Sequence, residues 1–229
     1  MDKPYKKLHI GCGPFTPSGW VNLDGSWNAK LAKFRFLRKI LGKFKIIPSY
    51  LSKIHWGLNI VHHDIRKPFP FKNHTFSAIY ASHVLENLYL DEAKSLLKEC
   101  HRILRPGGVL RIMVHDLRKE ALNYIGGNNL KDSKDQKTKA DEFLTTLSIR
   151  HEFPKGSIFY KIYTLFNDYH TYKWLYDSES LIFHFKEAGF EKVEQKPVLQ
   201  SKIEDIKAVE VNIHSRVSCV EGVKLNKLN

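Results

Sequence analysis

The predicted fold of this chain depends on the stretch Lys7-Leu8-His9-Ile10-Gly11-Cys12-Gly13, followed after a short gap by Gly19-Trp20-Val21-Asn22-Leu23-Asp24. The first part is a short apolar run ending at two glycines one residue apart, which is typical of a buried strand that stops in a sterically open turn. The second part is another short strand with a carboxylate at its end. Ligands of open parallel sheets bind at the carboxyl ends of strands. Because a carboxylate there can accept hydrogen bonds from both hydroxyls of a ribose, the two parts together predict a nucleoside site.

Three later segments follow this stretch in an order that resembles the class I S-adenosylmethionine-dependent methyltransferases, and most of all the group called methyltransferase type 11. The segments are His63-Asp64-Ile65, the stretch from Phe76 to Glu86, and the stretch from Leu97 to Leu110 with its Arg105-Pro106-Gly107-Gly108 turn. Each motif alone is weakly specific. As an ordered set they cover roughly half of the chain, which makes the resemblance strong.

The resemblance implies an α/β fold with a Rossmann-like, mostly parallel, seven-stranded sheet, helices on both faces and a terminal antiparallel hairpin. We predict the two hairpin strands at Phe190 to Val198 and Ile206 to His214, with a frayed tail from Ser218. The length of 229 residues and an apolar content of 42% suit one domain with one sizeable core.

The predicted methyltransferase domain covers residues 1–217 and carries two insertions, with the tail at 218–229. The first insertion, 26–58, is basic and helical. The second, 141–176, is rich in aromatic residues. It is interpreted either as a helical segment packed on the core or as a wall over an acceptor substrate.

One feature departs from the usual pattern of parallel strands, because only Pro14 to Ser18 separates the glycine turn from Gly19. Parallel neighbours are normally joined by a crossover of a dozen or more residues. Either the connection is a bare loop or the second strand lies elsewhere in the sheet. The short gap also argues against a nicotinamide dinucleotide site, because Thr16 stands where that fingerprint needs a third glycine.

The resemblance implies S-adenosylmethionine as cofactor and supplies candidate residues for its site. Asp24 is expected to bind the ribose, and Asp64 is expected to meet the adenine amino group. The full set of predicted cofactor-binding residues is Gly11, Cys12, Gly13, Asp24, Asp64, Ile65 and Ser82. Cys12 is interpreted as a small filler between the two glycines rather than a nucleophile.

Methyl transfer to a hydroxyl or carboxyl acceptor requires positioning in a desolvated pocket and a base for the acceptor proton. His83, just after the fourth predicted strand, is the first candidate for that base, with His115, Asp116 and His170 behind it. The unperturbed pKa of histidine lies near the working pH. The structural alternative for His83 is a hydrogen bond at a strand end. Many relatives carry a histidine where this chain has Asn87.

The acceptor is predicted through the resemblance alone to be a small molecule or a glycan precursor, methylated on oxygen. Two other functions stay open. A nucleic-acid methyltransferase would use the basic helix to hold phosphate, but the Asn/Asp-Pro-Pro-Tyr motif of amino-methylating DNA enzymes is replaced by Ala81-Ser82-His83-Val84, which disfavours nucleic acid. A non-catalytic module that binds S-adenosylmethionine is suggested by Asn87.

The charge of the chain favours anionic partners, because the sequence has 37 basic and 24 acidic residues and a formal net charge of +13. No acidic residue occurs between Gly25 and His63, where an amphipathic basic helix is predicted. We interpret this helix as a surface helix, as a membrane-surface contact or as a nucleic-acid contact. The predicted partner is an anionic membrane surface, contacted through residues 30–45.

Localisation and metal binding are predicted from what the sequence contains. The stretch after Met1 has no apolar signal region, and no segment approaches the roughly 18 apolar residues of a membrane span. These features predict a soluble cytoplasmic protein that contacts the inner membrane surface at most peripherally. The three cysteines, Cys12, Cys100 and Cys219, lack metal-ligand spacing, so the sequence predicts neither a disulfide framework nor a metal site.

Overall fold

The fold is organised around one sheet of seven strands. The computed structural model describes residues 6–31, 34–43, 54–126, 138–147, 171–211 and 213–226. The strands are β1 Lys6–Ile10, β2 Trp20–Asp24, β3 Ile60–His62, β4 Phe76–Ser82, β5 Leu104–His115, β6 Glu191–Lys196 and β7 Val217–Val223. Their order is β3-β2-β1-β4-β5-β7-β6. The first five are parallel, whereas β7 is antiparallel to both neighbours. The predicted Rossmann-like, mostly parallel sheet with an antiparallel end is confirmed.

The helices of the described residues are α1 Trp27–Lys30, α2 Arg35–Lys43, α3 Leu90–Ile103, α4 Leu117–Gly126, α5 Lys139–Thr146 and α6 Ser178–Glu187. Apolar residues at helical spacing give α3 a buried stripe that includes Leu96, Leu97 and Ile103. Helix α6 starts where the Asp177 carboxylate accepts from the Ser180 amide at 2.8 Å. Both helices pack into the main core on one face of the sheet.

The opposite face of the sheet carries a second, smaller core. Alternate residues of β4 point to opposite faces, so that Ile79 joins the main core whereas Ala78 and Tyr80 join the second. A segment after β6 covers this face through Ile203 and Ile206, the latter in the 3₁₀ turn Ile206–Ala208. Loop residues therefore provide apolar cover for this part of the sheet.

Strands β1 and β2 are parallel neighbours joined by a loop without helix, which confirms the first of the two predicted alternatives. The loop is held at its start, because the amides of Gly11 and Cys12 both donate to the Leu23 carbonyl, at 2.8 and 3.1 Å. Strand β1 pairs with β2 from Lys7 opposite Trp20 to Ile10 opposite Leu23. The glycine turn and the end of β2 thus lie at the same edge.

At the end of the chain the first predicted hairpin strand, Phe190 to Val198, is confirmed as β6, whereas the predictions for the second strand and the tail are wrong. The predicted strand Ile206 to His214 contains only a 3₁₀ turn, and the predicted frayed tail 218–229 contains most of β7, whose residues are all buried. Strand β7 lies between β5 and β6 in the sheet. The domain therefore extends past its predicted end at 217, to at least 223.

Two residues explain why β7 does not look like a central strand in the sequence. The Glu221 carboxylate accepts from the Arg111 guanidinium at 2.9 Å, and both side chains are fully buried, so a charge in the strand is neutralised by its neighbour. A β-carbon on Gly222 would lie 2.8 Å from a ring carbon of Phe185 and 3.0 Å from the β-carbon of Phe190. The glycine therefore gives α6 and its following turn room to pack.

The two predicted insertions are described only in part. Helices α1 and α2 lie within 26–58, and α5 and residues 171–176 lie within 141–176; residues 44–53 and 148–170 are outside the described residues. The single-domain organisation stays a prediction. No helix among the residues that the structure describes is long and apolar enough to cross a membrane.

Candidate functional site

The carboxyl ends of β1, β2 and β3 form what we call the glycine edge, with Gly11, Gly13, Asp24 and Asp64. The two carboxylate residues are neighbours there, because the His63 amide donates to the Asp24 carbonyl at 3.3 Å. A β-carbon on Gly25 would lie 2.7 Å from the His63 carbonyl oxygen and 3.5 Å from the Asp64 α-carbon. The segments that the sequence predicts to form a nucleoside site therefore converge.

Asp24 is buried and fixes the turn that follows β1. Its Oδ2 accepts from the Gly13 amide at 2.9 Å, and its Oδ1 accepts from the Ser26 amide at 2.8 Å. An ionised carboxylate has about four acceptor positions. Two positions remain after these bonds, which is the number that the two hydroxyls of a ribose need.

Gly11 and Gly13 both have left-handed backbone conformations, with φ of +65° and +55°, but their surroundings differ. A β-carbon on Gly11 would lie 2.4 Å from a methyl carbon of Val84, so the Val84 side chain occupies the space beside Gly11. A β-carbon on Gly13 would meet no atom of the described residues within 4 Å. Open space for a ligand therefore adjoins Gly13 rather than Gly11.

Asp64 forms a fork-like ion pair with Arg66, with both nitrogen–oxygen distances at 2.9 Å. The hydrogen bonds from the Arg66 side chain hold the pKa of the Asp64 carboxyl below its usual range. Ile65 packs partly buried against the main core. Burial raises the pKa of the Cys12 thiol to about 12, which leaves it protonated and a poor nucleophile.

The carboxyl ends of β4 and β5, together with the residues before β7, form what we call the histidine edge. It contains Ser82, His83, Glu86, His115 and His214. The ring centroids of His83 and His115 lie 4.4 Å apart, those of His115 and His214 lie 4.7 Å apart, and the His83 and His214 rings stack at 5.4 Å. Two predicted candidates for the base are thus brought together with a third histidine.

Glu86 lies fully buried behind these rings. Its Oε1 accepts from the His115 backbone amide at 2.8 Å and lies 3.3 Å from His83 Nδ1. A carboxylate in this place orients the imidazole, because the protonated Nδ1 donates to it and leaves Nε2 with a lone pair. The arrangement gives His83 the geometry of an oriented base.

The backbone of His83 is held in an unusual conformation, with φ of +52°. Its amide donates to the Met113 carbonyl and its carbonyl accepts from the Asn87 side chain, both at 2.9 Å. Left-handed conformations of residues other than glycine cost about 1 kcal/mol or more and are concentrated at functional sites. Asn87, which departs from the family pattern, therefore positions His83.

The other two histidines are neutral near pH 7. Burial, and next the charge on His83, lower the pKa of His115 to about 4. Burial also lowers the pKa of His214, which lies exposed at the rim. His115 and His214 therefore bring lone pairs to the histidine edge rather than positive charges.

Buried polar atoms without a partner among the described residues are concentrated at this edge. Four such side-chain atoms lie here: Glu86 Oε2, Asn87 Oδ1, His115 Nδ1 and Tyr176 Oη. Buried polar groups in folded proteins are almost always hydrogen-bonded. The cluster therefore indicates a polar ligand at the histidine edge.

A cavity of about 720 Å³ opens beside the histidine edge. Its lining includes Lys119, Lys196, His214 and Ser215. Cavities of this volume are the usual size of small-molecule sites. The cavity therefore provides room for a small molecule next to His214, the member of the histidine edge that lines it.

The structure gives Asp116 a capping role, does not describe His170, and adds two residues to the predicted base set. Asp116 accepts from the Lys119 amide at 3.2 Å as a cap of α4, and His170 lies outside the described residues. The sequence prediction did not assign Glu86 or His214. Glu86 stands three residues after His83 in a quoted motif, which is a usable signal, whereas His214 was hidden because the last strand was predicted over it.

Comparison with sequence families found a family that matches part of this chain. Residues 35–112, about a third of the chain, match the family described as methyltransferase domain, type 11. A search among curated proteins found no significant match. Over that part of the chain, the sequence is similar to methyltransferase domains of the type 11 group.

Solved methyltransferase structures follow a similar chain course at low identity. The carbon methyltransferase of CurJ is 17% identical, with a TM-score of 0.47 and coverage of 97% of this chain and 49% of that one. PigF with SAH is 14% identical, with a TM-score of 0.47 and coverage of 96% and 56%. A possible histamine N-methyltransferase from Thermotoga maritima is 13% identical, with a TM-score of 0.46 and coverage of 97% and 83%. This chain spans about half the length of the first two, and at these scores the likenesses carry no information on its substrate.

Proposed function

We propose that this chain transfers a methyl group from S-adenosylmethionine to a hydroxyl oxygen of a small-molecule or glycan-precursor acceptor. The observation that carries the proposal is the histidine edge, where a carboxylate-oriented histidine lies among unpartnered buried polar atoms and where His214 lines a cavity. The glycine edge lies beside it in the same sheet, since Ile10 pairs with Ala81 just before Gly11 and Ser82. Donor and acceptor sites would thus be adjacent.

The residues of the glycine edge fit the nucleoside part of the cofactor. Asp24 has the acceptor positions that two ribose hydroxyls need, and Gly13 adjoins open space. Ser82, which ends the neighbouring strand β4, would contribute its hydroxyl to the ligand from the adjoining histidine edge. Asp64 would accept from the adenine amino group while keeping its bond to Arg66.

The histidine edge supplies the proton acceptor. When bound, S-adenosylmethionine supplies a methyl group that leaves its sulfur, with the bonding electron pair staying on sulfur. His83 Nε2 would accept the proton of the acceptor hydroxyl, and the nearby Glu86 carboxylate would stabilise the resulting imidazolium. The neutral His115 ring would accept or donate a hydrogen bond without adding repulsion.

The proposal is tested by a screen of nucleotide sugars and other hydroxyl-bearing acceptors, with release of S-adenosylhomocysteine as the signal. The expected result is turnover with at least one acceptor and an oxygen–methyl product identified by mass spectrometry and NMR. A nitrogen- or carbon-methylated product would contradict O-methylation. Tight binding of the cofactor without turnover on any acceptor would favour the non-catalytic module.

We also propose that α2 makes a peripheral contact with an anionic membrane, which would bring a lipid-linked acceptor to the enzyme. Phe36 and Leu37 are 78% and 42% exposed, Phe34 just before the helix is 58% exposed, and Lys39 and Lys43 are exposed beside them. Exposed apolar and basic side chains on one helix are typical of interfacial helices.

The membrane contact is tested by sedimentation with phospholipid vesicles. Binding to vesicles that contain anionic lipid is expected, with loss of binding in Phe36→Glu and at high salt. Phe183→Glu, which changes an equally apolar exposed residue on α6, is the matched control and should bind normally. Equal binding of both variants would exclude α2 as the contact.

A further inference from the structure

Three imidazole rings meet at the histidine edge from distant parts of the chain. His83 follows β4, His115 ends β5, and His214 precedes β7. One ring nitrogen of each lies within 4.8 Å of the others. We propose that these three histidines bind one divalent transition-metal ion of the zinc type.

The spacing is close to what such an ion needs. Zinc–nitrogen bonds of about 2.1 Å in tetrahedral geometry place the ligand nitrogens about 3.4 Å apart. The three nitrogens lie within 4.8 Å, so small rotations about side-chain bonds bring them to that spacing. His214 is exposed and free to make most of the adjustment.

The hydrogen bonds at the site are consistent with metal binding by His115 and by His83. His115 Nδ1 is buried and has no hydrogen-bond partner among the residues that the structure describes, so a lone pair is open to a ligand. His83 Nδ1 faces the Glu86 carboxylate at 3.3 Å, which leaves Nε2 as the metal-binding atom. A carboxylate behind a metal-binding histidine is a common outer-shell partner.

The donor set indicates the kind of metal. Imidazole nitrogens suit zinc, copper, iron and nickel, whereas calcium and magnesium prefer oxygen ligands. Three protein ligands leave a position open for a water or hydroxyl oxygen, as in catalytic zinc sites. That this oxygen belongs to the methyl acceptor rests on the proposed function, whereas metal binding itself does not.

The lone pair of His83 Nε2 takes either a proton or the metal ion. Without metal His83 would accept the proton, and with metal the three histidines would hold the ion, which would supply Lewis-acid activation of a bound hydroxyl. Metal binding is therefore measured without cofactor or acceptor, so that its failure and the failure of the proposed methyl transfer are distinguishable.

The experiment uses the full chain, stripped with a chelator and titrated with Zn²⁺ by calorimetry and with Co²⁺ by absorption spectroscopy. We expect one ion per chain and tetrahedral Co²⁺ bands. His214→Ala removes one ligand from an exposed position without disturbing the core, and should abolish the bands. Glu86→Gln keeps the side chain's size but removes its charge, and should weaken Zn²⁺ binding roughly 10- to 100-fold.

The matched control is His55→Ala, which removes an exposed histidine outside the cluster and should bind metal like the original chain. Absence of Zn²⁺ and Co²⁺ binding in the unmodified chain would overturn the proposal. Equal binding by His214→Ala and His55→Ala would overturn it as well, because the ion would then lie elsewhere.

Discussion

The glycine edge and the histidine edge lie side by side on one sheet, but their polar atoms are satisfied differently. At the glycine edge, Asp24 and Asp64 each accept two or more hydrogen bonds from residues close in sequence. At the histidine edge, Glu86 and His115 each have a buried atom without a partner among the described residues. The carboxylates of the glycine edge are therefore positioned by their own chain, whereas the histidine edge keeps buried polar atoms that a ligand could bond.

The largest effect is expected at the histidine edge. His83→Asn should lower turnover by about a thousandfold, within the roughly 10²- to 10⁴-fold range of a general base. Asparagine tolerates the left-handed backbone of this position, so the fold should persist. Steady-state kinetics and calorimetry with S-adenosylmethionine measure the two effects separately.

Cofactor affinity is expected to stay within about twofold in His83→Asn, because general-base catalysis acts on the proton transfer and not on donor binding. His55→Asn is the control for replacing an exposed histidine. Equal losses of turnover and cofactor affinity would make His83 a binding residue and remove the distinction between the two edges.

The second largest effect is expected on cofactor affinity, when Asp24 at the glycine edge is replaced. Asp24→Ala removes a charged acceptor from two backbone amides and from the ribose, and hydrogen bonds to charged groups are worth about 1.5 to 3 kcal/mol each. Cofactor binding should weaken about a hundredfold or more. Calorimetric titration measures the dissociation constant, and unchanged affinity would refute the proposed donor site.

The sequence predicts the glycine edge well because its parts are local. The glycine turn, Asp24 and the short connection lie within one stretch, and parallel pairing brings Asp64 beside them. The histidine edge could be predicted only in part. Glu86 lies three residues after His83 in the sequence, whereas His214 lies far along the chain, just before β7. No spacing pattern in the sequence joins His83, His115 and His214.

The strands were predictable where burial on both faces produces apolar runs, as in β1, β4 and most of β5. Strand β7 was not, because Glu221 and Gly222 interrupt its apolar pattern for reasons that only the packed structure shows. Glu221 forms an ion pair with Arg111 on the neighbouring strand. Gly222 leaves room for the ring of Phe185, which a larger residue would overlap. Arg111 itself interrupts the apolar run from Val109 to Val114 of β5.

The close packing of Val84 against Gly11 is expected to contribute to the stability of the fold. Gly11→Ala should destabilise folding by roughly 2 to 3 kcal/mol, because the left-handed backbone disfavours alanine and the new methyl would overlap Val84. Chemical denaturation measures the loss. Gly107→Ala, with φ of +76° and no described atom within 4 Å of its β-carbon, is the control for backbone strain alone.

The double variant Gly11→Ala with Val84→Ala separates the two causes of that loss. Removing the Val84 methyls should recover the part that comes from overlap, so the double variant should lose less than the two single changes together. Equal destabilisation by Gly11→Ala and Gly107→Ala would show that the close approach of Val84 has no energetic weight.

The smallest effect is expected at Asp64, since its carboxylate is partly exposed and shared with Arg66. Asp64→Ala should weaken cofactor binding by less than about tenfold, because an exposed, solvent-screened interaction contributes about 1 kcal/mol or less. Calorimetry compares it directly with Asp24→Ala, and Arg66→Gln, which removes the competing partner, should leave affinity unchanged or slightly tighter. A larger loss in Asp64→Ala than in Asp24→Ala would reverse the assignment of the two carboxylates, since the buried one would then not hold the ribose.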